Sequence, residues 1–265
     1  MKTLLIDIGA THTRFAVADK KITTFHLCET KRRWPEMKQH LADHVHASGE
    51  KFERIIIGVP GTVLPDGSAS CSNLPGWHRV HFARELRGLF HVPVVVKNDA
   101  ELNALGEAVY GAGRGASTVG FLTVSTGVNG ALVLDGQLDQ GAFPFELRLL
   151  PTQAGQTLGH SISGRGIHLR TGTSARQLRN RTEWKKITQA LADAIVTLCL
   201  AWRPHVFVVG GPMLNGQAIR IAELRRMARH AWRHPSPMPK ILAGTLGQAS
   251  GLWGGLALSH LQKKQ

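Results

Sequence analysis

The sequence predicts an α/β protein of two lobes, each built on a mixed sheet, and three observations carry that expectation. Apolar strand-like runs alternate with segments of helical periodicity along nearly the whole chain. Two strand–turn–strand hairpins interrupt the alternation, one starting at Thr3 and one at Thr118, so part of each sheet is antiparallel. Between them, Gly111–Gly115 has four Gly or Ala among its five residues, the composition of a lobe boundary. No repeat with a period of roughly 20–50 residues is visible.

Thr3–Gly9 reads as a buried strand running into a glycine turn, with Thr13–Asp19 as its partner. The connection is too short for a dinucleotide-binding βαβ unit, which continues into a helix after its glycines. Residues 34–48 read as a helix, with Leu41 and Val45 an i, i+4 apolar pair. Phe52–Val59 is a strand stopped by Pro60-Gly61. Val80–Leu89 is a short helix, Val92–Val96 an apolar strand, and Ala100–Val109 a helix closed by Gly111. Thr118–Ser125 and Gly130–Leu134 form the second hairpin, and residues 139–160 show no period and read as loop. From Trp184 to Trp202 the apolar residues Trp184, Ile187, Leu191, Ile195, Leu198 and Trp202 fall on one helical face. His205–Val209 is a strand ending in Gly210-Gly211, Ile219–Arg233 a basic helix stopped before Pro235, and Gly251–Gln262 a closing helix rich in small residues.

The 265 residues suffice for one large or two modest cores, and 43% apolar with 19% charged residues is ordinary for a soluble globular protein. No apolar run approaches the roughly 20 residues that span a bilayer. Asp7 interrupts the first apolar stretch, so a signal peptide is not expected; the chain is expected to begin at Met1 in the cytoplasm, without a membrane partner. Cys28, Cys71 and Cys199 form no CxxC pair, against both a disulfide framework and a cysteine-built zinc site. Thirty-two Lys and Arg against 18 Asp and Glu give +14 and a pI near 10.4. That charge attracts polyanions but supplies no element that reads bases, so nucleic acid is not expected as a partner.

Four segments carry candidate chemistry. Asp7-Ile8-Gly9-Ala10-Thr11-His12-Thr13-Arg14 sets a small-residue turn between two strands. Such a turn lets backbone N–H groups approach an anion, the Thr11 and Thr13 hydroxyls add donors, and Asp7 stands where a metal-bound water could be held near phosphates. A plain hairpin with a buried acid has the same sequence. Val94–Ala100 delivers Asn98 and Asp99 to a strand end where a helix begins. Asp99 there is either an N-cap or a general base for phosphoryl transfer. Phe121–Gly130 repeats the first pattern of apolar strand, hydroxyl, glycine turn and second strand, and two such turns could clamp a polyphosphate. Val206–Leu214 ends its strand in Gly210-Gly211, which can bring backbone close to a flat adenine or merely leave the sheet.

Taken in order, these segments resemble the ROK family (repressors, open reading frames and kinases), whose members have the actin-like ATPase fold, a ribonuclease H-like architecture. Asp7–Arg14 resembles the family's DxGGTxxR phosphate loop, with Ala10 in place of the second glycine. Asn73-Leu74-Pro75-Gly76-Trp77 matches a stretch common in its sugar kinases, and Asn98-Asp99 its sugar-binding Asn and catalytic Asp. Leu122–Gly130 matches the second phosphate loop and Val209-Gly210-Gly211 the adenosine loop. Ser163–Ile167 resembles the start of the helix after the zinc loop, and Ala249–Leu258 the closing AGLxGAAxLA helix, so the resemblance covers nearly the whole chain. It implies ATP-binding roles for Asp7, Gly9, Thr11, His12, Thr13, Thr126, Gly127, Gly210 and Gly211, with Mg²⁺ arriving on ATP near Asp7. It implies sugar contacts from Asn73, Asn98, Asp99, Glu146 and His160, and proton abstraction by Asp99. The lobes are then residues 1–112, with the closing helix 251–265 packing back on them, and 113–250.

One region departs from the family pattern. ROK kinases usually carry a sugar-binding ExGH followed by a zinc loop of the type CxCGxxGCxE. Here Glu146-Leu147-Arg148-Leu149 stands at ExGH, Leu150–Thr157 contains no cysteine, and Gly159 falls where a second sugar-contacting Glu would be. No zinc is therefore expected, Glu146 is left as one sugar contact, and His160 is a candidate to fill part of the gap.

The activity implied is ATP-dependent phosphorylation of the 6-hydroxyl of a hexose or N-acetylhexosamine. The Val124–Val128 and Ser163–Ile167 stretches resemble N-acetylmannosamine kinases of sialic acid catabolism, with N-acetylglucosamine kinase and glucokinase as alternatives. A sugar sensor without strong catalysis is the non-enzyme alternative. A ROK repressor would carry a helix-turn-helix ahead of the phosphate loop, which here begins at Asp7. The resemblance is compatible with a homodimer.

Overall fold

The computed structural model describes residues 2–71, 74, 76–214 and 218–262. It divides into two compact units, Met1–Gly106 with Gln248–Gln265, and Glu107–Gly247. The first unit opens with the hairpin of β1 (Thr3–Ile8) and β2 (His12–Ala18), followed by β3 (His26–Glu29), α1 (Trp34–Ser48), β4 (Arg54–Val59) and the short β5 (Thr62–Val63), β6 (Ser68–Ser70) and β7 (Val80–His81). Next come α2 (Phe82–Phe90), β8 (Val94–Asn98) and α3 (Asp99–Val109), within which the chain enters the second unit. The main sheet runs β3-β2-β1-β4-β8, antiparallel across β1/β2 and parallel across β1/β4 and β4/β8.

All six residues of β1 are buried, as in a central strand covered on both faces. Helix α1 covers one face with Trp34, Met37, Leu41 and Val45, a stripe at helical spacing. Trp34 packs edge-on against Trp77 and Phe82 with ring centroids 5.1 and 4.7 Å apart.

The second unit repeats the plan. After β9 (Thr118–Val124), β10 (Val128–Leu134) and β11 (Gln137–Leu138), a 3₁₀ turn at Leu147–Leu149 leads to α4 (Leu158–Ile162), α5 (Gly164–Thr171) and α6 (Arg181–Trp202). Then follow β12 (Val206–Gly210), α7 (Ile221–Ala231) and β13 (Lys240–Ala243). The sheet order is β11-β10-β9-β12-β13, with the antiparallel and parallel pairings of the first sheet in the same places. Helix α6 starts where the Asn180 side chain accepts from the amides of Thr182 and Glu183, and buries Ile187, Leu191, Ile195 and Leu198 in a core with Phe207, Val209, Leu224 and Met227.

The chain returns to the first unit as α8 (Ser250–Leu261). Leu252 and Leu256 pack with Leu5, Ile56 and Leu102 on the sheet face opposite α1. Backbones approach closely there: a Cβ on Gly254 would overlap the carbonyl of Leu102, which accounts for the small-residue composition of the helix.

Several details differ from the sequence expectations. Strands β3, β5, β6, β7 and β13 are two to four residues long and carry no alternation to detect. Residues 139–160 are not all loop, since they hold the 3₁₀ turn and the start of α4. Gly111–Gly115 lies inside the second unit, where the amides of Gly111 and Gly113 both donate to the carbonyl of Glu107 (3.2 and 2.9 Å).

Candidate active site

In the first unit two carboxylates meet across a glycine. Asp7, next to last on β1, pairs in register with Gly58 of β4, and Asp99 is the first residue of α3. Gly58 lies between them: a Cβ on it would stand 3.6 Å from Asp7 Oδ1 and 3.4 Å from the Asp99 Cα, ordinary contact distances, with Leu102 nearer at 3.0 Å. Gly251, in the first turn of α8, approaches Asp7 more closely: a Cβ there would lie 2.7 Å from both carboxylate oxygens, nearer than real Cβ atoms come.

Asp7 is 5% exposed, and burial pushes its pKa up to about 6 against the opposing pull of Arg14, whose Nη1 is 3.9 Å from Oδ2. Asp99 is pushed up to about 7, first by desolvation and then by the like charge of Asp7, while the Ala100 amide donating to Oδ1 at 2.9 Å pulls it down. Its side chain keeps some exposure at the rim, but most of its surroundings are protein. The two acids titrate as a pair. Two raised carboxylates at one strand edge fit a hard cation, which takes oxygen ligands and keeps several of its waters.

The neighbours of Asp99 hold it in place. Asn98, buried at the end of β8, donates from Nδ2 to the Gly61 carbonyl at 2.8 Å and accepts from the Ala100 amide at 2.9 Å. Asn103 Nδ2 donates to the Asp99 carbonyl at 2.7 Å, and Asn103 Oδ1 accepts from the hydroxyl of Ser250.

The turn between β1 and β2 is closed by the Gly9 amide donating to the His12 carbonyl at 2.9 Å. Thr11 in this turn is exposed and His12 half-buried. The expectation for Thr13 needs correction. Its side chain is fully buried and its hydroxyl is paired with Thr30 Oγ1 at 2.9 Å, so only its backbone is near the turn. Strand parity is the reason: Thr13 points to the α1 side, where Met37 Sδ lies 3.8 Å away. Thr30, which sequence reading missed, braces the turn by donating Oγ1 to the Gly9 carbonyl at 2.7 Å and its amide to the Thr11 carbonyl at 3.0 Å. Asn73 lies outside the described residues.

In the second unit the ends of β9 and β12 lie side by side. The Ser125 amide donates to the Gly127 carbonyl at 2.8 Å, leaving Thr126 exposed at the tip. The start of α5 docks on this turn, with the Gly164 amide on the Ser125 carbonyl at 2.8 Å and the Arg165 amide on the Thr126 carbonyl at 3.0 Å. Gly211 has φ +100°, and a Cβ on it would overlap the backbone of Val124. Gly210, Gly211 and the Ser125–Gly127 turn thus form one surface of bare backbone and hydroxyls.

Glu146 is half-buried and accepts from Arg148 Nε at 2.9 Å. His160 sits half-buried in the first turn of α4, its amide donating to Thr157 Oγ1 at 3.3 Å. Gly159 packs on Arg148, where a Cβ would lie 3.0 Å from the carbonyl, a tight fit that a larger side chain could enter only if Arg148 shifted. Residues 151–157 form a self-closed turn, with the Thr152 amide on the Gln156 carbonyl at 2.7 Å. Cys28 and Cys71 belong to the first unit and Cys199 to α6, so no cysteine stands at this turn, and its donor set does not fit a zinc loop.

Comparison with known proteins agrees with this geometry. The family model described as "ROK family" matches residues 3–146. The N-acetylgalactosamine kinase AgaK of Shewanella sp. (strain ANA-3) is 25% identical, over 96% of each chain. Among solved structures, a ROK hexokinase from Thermus thermophilus superposes with a TM-score of 0.83 at 24% identity, covering 100% of this chain and 99% of the other. A ROK-family glucokinase from Streptomyces griseus, solved with glucose and AMPPNP, gives 0.82 at 21% identity, covering 97% and 99%. No helix among the described residues is long and apolar enough to cross a membrane. The chain belongs to the ROK family and, with its actin-like ATPase fold and paired strand-end acids, to the sugar kinases within it.

Proposed function

We propose that the protein transfers the γ-phosphoryl group of ATP to the 6-hydroxyl of an N-acetylhexosamine or hexose, with N-acetylmannosamine as the leading substrate and N-acetylglucosamine and glucose as the alternatives. The observation that carries the reading is Asp99, a carboxylate at a strand-to-helix junction raised to about 7 beside Asp7. With that raised pKa Asp99 is a stronger base than an ordinary carboxylate and is still partly ionised near neutral pH, so it can accept a hydroxyl proton there. Asn98, through its bonds to Gly61 and Ala100, fixes the Asp99 backbone so that the carboxylate needs little reorganisation. Asp7, with Asp99 beside it, would hold Mg²⁺ through water. When bound, the ion offsets charge on the transferring group.

Exposed Thr11, half-buried His12 and the Gly9 turn offer donors to phosphate oxygens in the first unit. Thr126-Gly127 and Gly210-Gly211 offer bare backbone to phosphate and adenine in the second. Glu146 and His160 join Asn73, Asn98 and Asp99 as the sugar contacts, with Arg148 orienting the Glu146 carboxylate. Similarity to an N-acetylgalactosamine kinase over almost the full chain supports an N-acetylhexosamine.

The test is an ADP-release assay coupled to product detection over N-acetylmannosamine, N-acetylglucosamine, N-acetylgalactosamine, glucose, fructose and allose. The reading expects kcat/KM for one N-acetylhexosamine to exceed that for glucose by at least about tenfold, the discrimination available from a few well-placed polar contacts. Binding of sugar without turnover of any would replace it with the sensor reading.

A further inference from the structure

Glu107 takes no part in the roles above, and it is the most deeply buried acid among the described residues at 2% exposure. It lies near the end of α3, where the chain enters the second unit. Its carboxylate gathers two separate stretches of that unit. Oε2 accepts from the Ala112 amide at 2.9 Å and the Thr245 amide at 3.1 Å, with a longer bond from the Thr245 hydroxyl at 3.5 Å. Oε1 accepts from the Leu246 amide at 2.9 Å. Gly111 and Gly244 crowd the carboxylate, and a Cβ on Gly244 would come within 2.8 Å of Oε1.

The position of that second stretch gives the acid its meaning. Gly244 leaves β13, the strand paired with β12, and its amide donates to the Val209 carbonyl at 2.9 Å. Val209 is followed directly by Gly210-Gly211. One carboxylate therefore sets the residues that flank the glycine pair. Burying a carboxylate costs several kcal/mol unless N–H donors replace its water.

We infer that Glu107 is a positioning residue for nucleotide binding: its carboxylate locks Gly244–Leu246 against the exit of β12 and so fixes the backbone surface that Gly210-Gly211 presents to ATP. The inference rests on the assignment of that surface to the nucleotide. Glu107→Gln keeps the volume but turns one acceptor into a donor facing N–H groups, so the lock opens on one side.

The experiment measures KM for ATP, KM for sugar and amide hydrogen exchange in Glu107→Gln, Gly244→Ala and Gly211→Ala of the full chain, each first shown to melt cooperatively. Glu107→Gln is expected to raise the ATP KM at least tenfold, to leave the sugar KM within twofold, and to speed exchange at Ala112, Thr245 and Leu246. Gly244→Ala, which crowds the same carboxylate, is expected to show the same split and decides the matter if Glu107→Gln does not fold. An unchanged ATP KM in the folded Glu107 and Gly244 variants, or an equal rise in both KM values, overturns the inference. Gly211→Ala tests the assignment of the surface itself: an unchanged ATP KM there removes that assignment, whatever the other two variants do.

Discussion

In the first unit two strand exits carry acids, Asp7 and Asp99, and in the second the equivalent positions carry a hydroxyl and a glycine, Thr123 and Gly244. The register makes the comparison residue by residue. Asp7 faces Gly58 across β1/β4, and Thr123 faces Gly210 across the equivalent pair β9/β12. The exit of β8 is Asn98-Asp99, and the exit of the equivalent β13 is Ala243-Gly244. One scaffold thus carries two kinds of site. Paired carboxylates repel a polyphosphate unless a cation intervenes, and they can take a proton. Bare backbone and hydroxyls offer donors to an anion, but nothing there can act as a base near neutral pH. Electrostatics, not topology, divides the work.

The sharpest way to break this comparison is Asp99→Asn, which should lower kcat by about 10³-fold, within the range typical of a lost general base, while sugar affinity by calorimetry changes less than threefold. A smaller effect is expected in the second unit. Gly211→Ala forces a Cβ toward the Val124 backbone at φ +100°, and should weaken ATP about a hundredfold by the scale of strain and lost approach, with sugar affinity retained. A fall in sugar affinity instead would mean that Gly210-Gly211 does not belong to the nucleotide surface. Glu146→Ala should raise the sugar KM by about tenfold, the scale of one charge-assisted hydrogen bond, with the ATP KM unchanged.

The smallest effect concerns stability. A carboxyl whose folded pKa is raised favours the fold below its unfolded value near 4, and loses that contribution as pH rises through the folded value. For Asp7 the window runs from about 4 to about 6. Without ligands, Asp7→Asn should therefore melt a few degrees higher than the native protein at pH 8, a gain of about 1–3 kcal/mol, and no higher at pH 4. A lower Tm at pH 8 would show that the Arg14 pair outweighs burial.

Much of this was legible in the sequence. The β1/β2 and β9/β10 hairpins and the long helix α6 declare themselves because each has enough residues for its period to show. Asp99 was legible because a strand end, an acid and a helix start are contiguous. The inward face of Thr13 was not, since alternation along β2 does not reveal which face of the sheet carries α1. Arg14 entered only as the last letter of a motif; that its guanidinium stands near Asp7 follows from pairing across β1/β2. Glu107 carries no signal in the sequence, because amides that bury it come from residues 245 and 246, far along the chain. The shortened segment at 151–157 shows its missing cysteines in sequence, but the backbone bonds that close it do not appear there.

The role of Asp99 as the base is tested by the pH dependence of kcat/KM for the best sugar substrate between pH 5 and 9, in the native protein and in Asp99→Asn. In the native protein a single rising limb is expected with an apparent pKa near 7, set by the burial of Asp99 beside Asp7, and that limb is expected to vanish from the residual activity of the variant. The same limb in Asp99→Asn, or native turnover without Asp99, would contradict it.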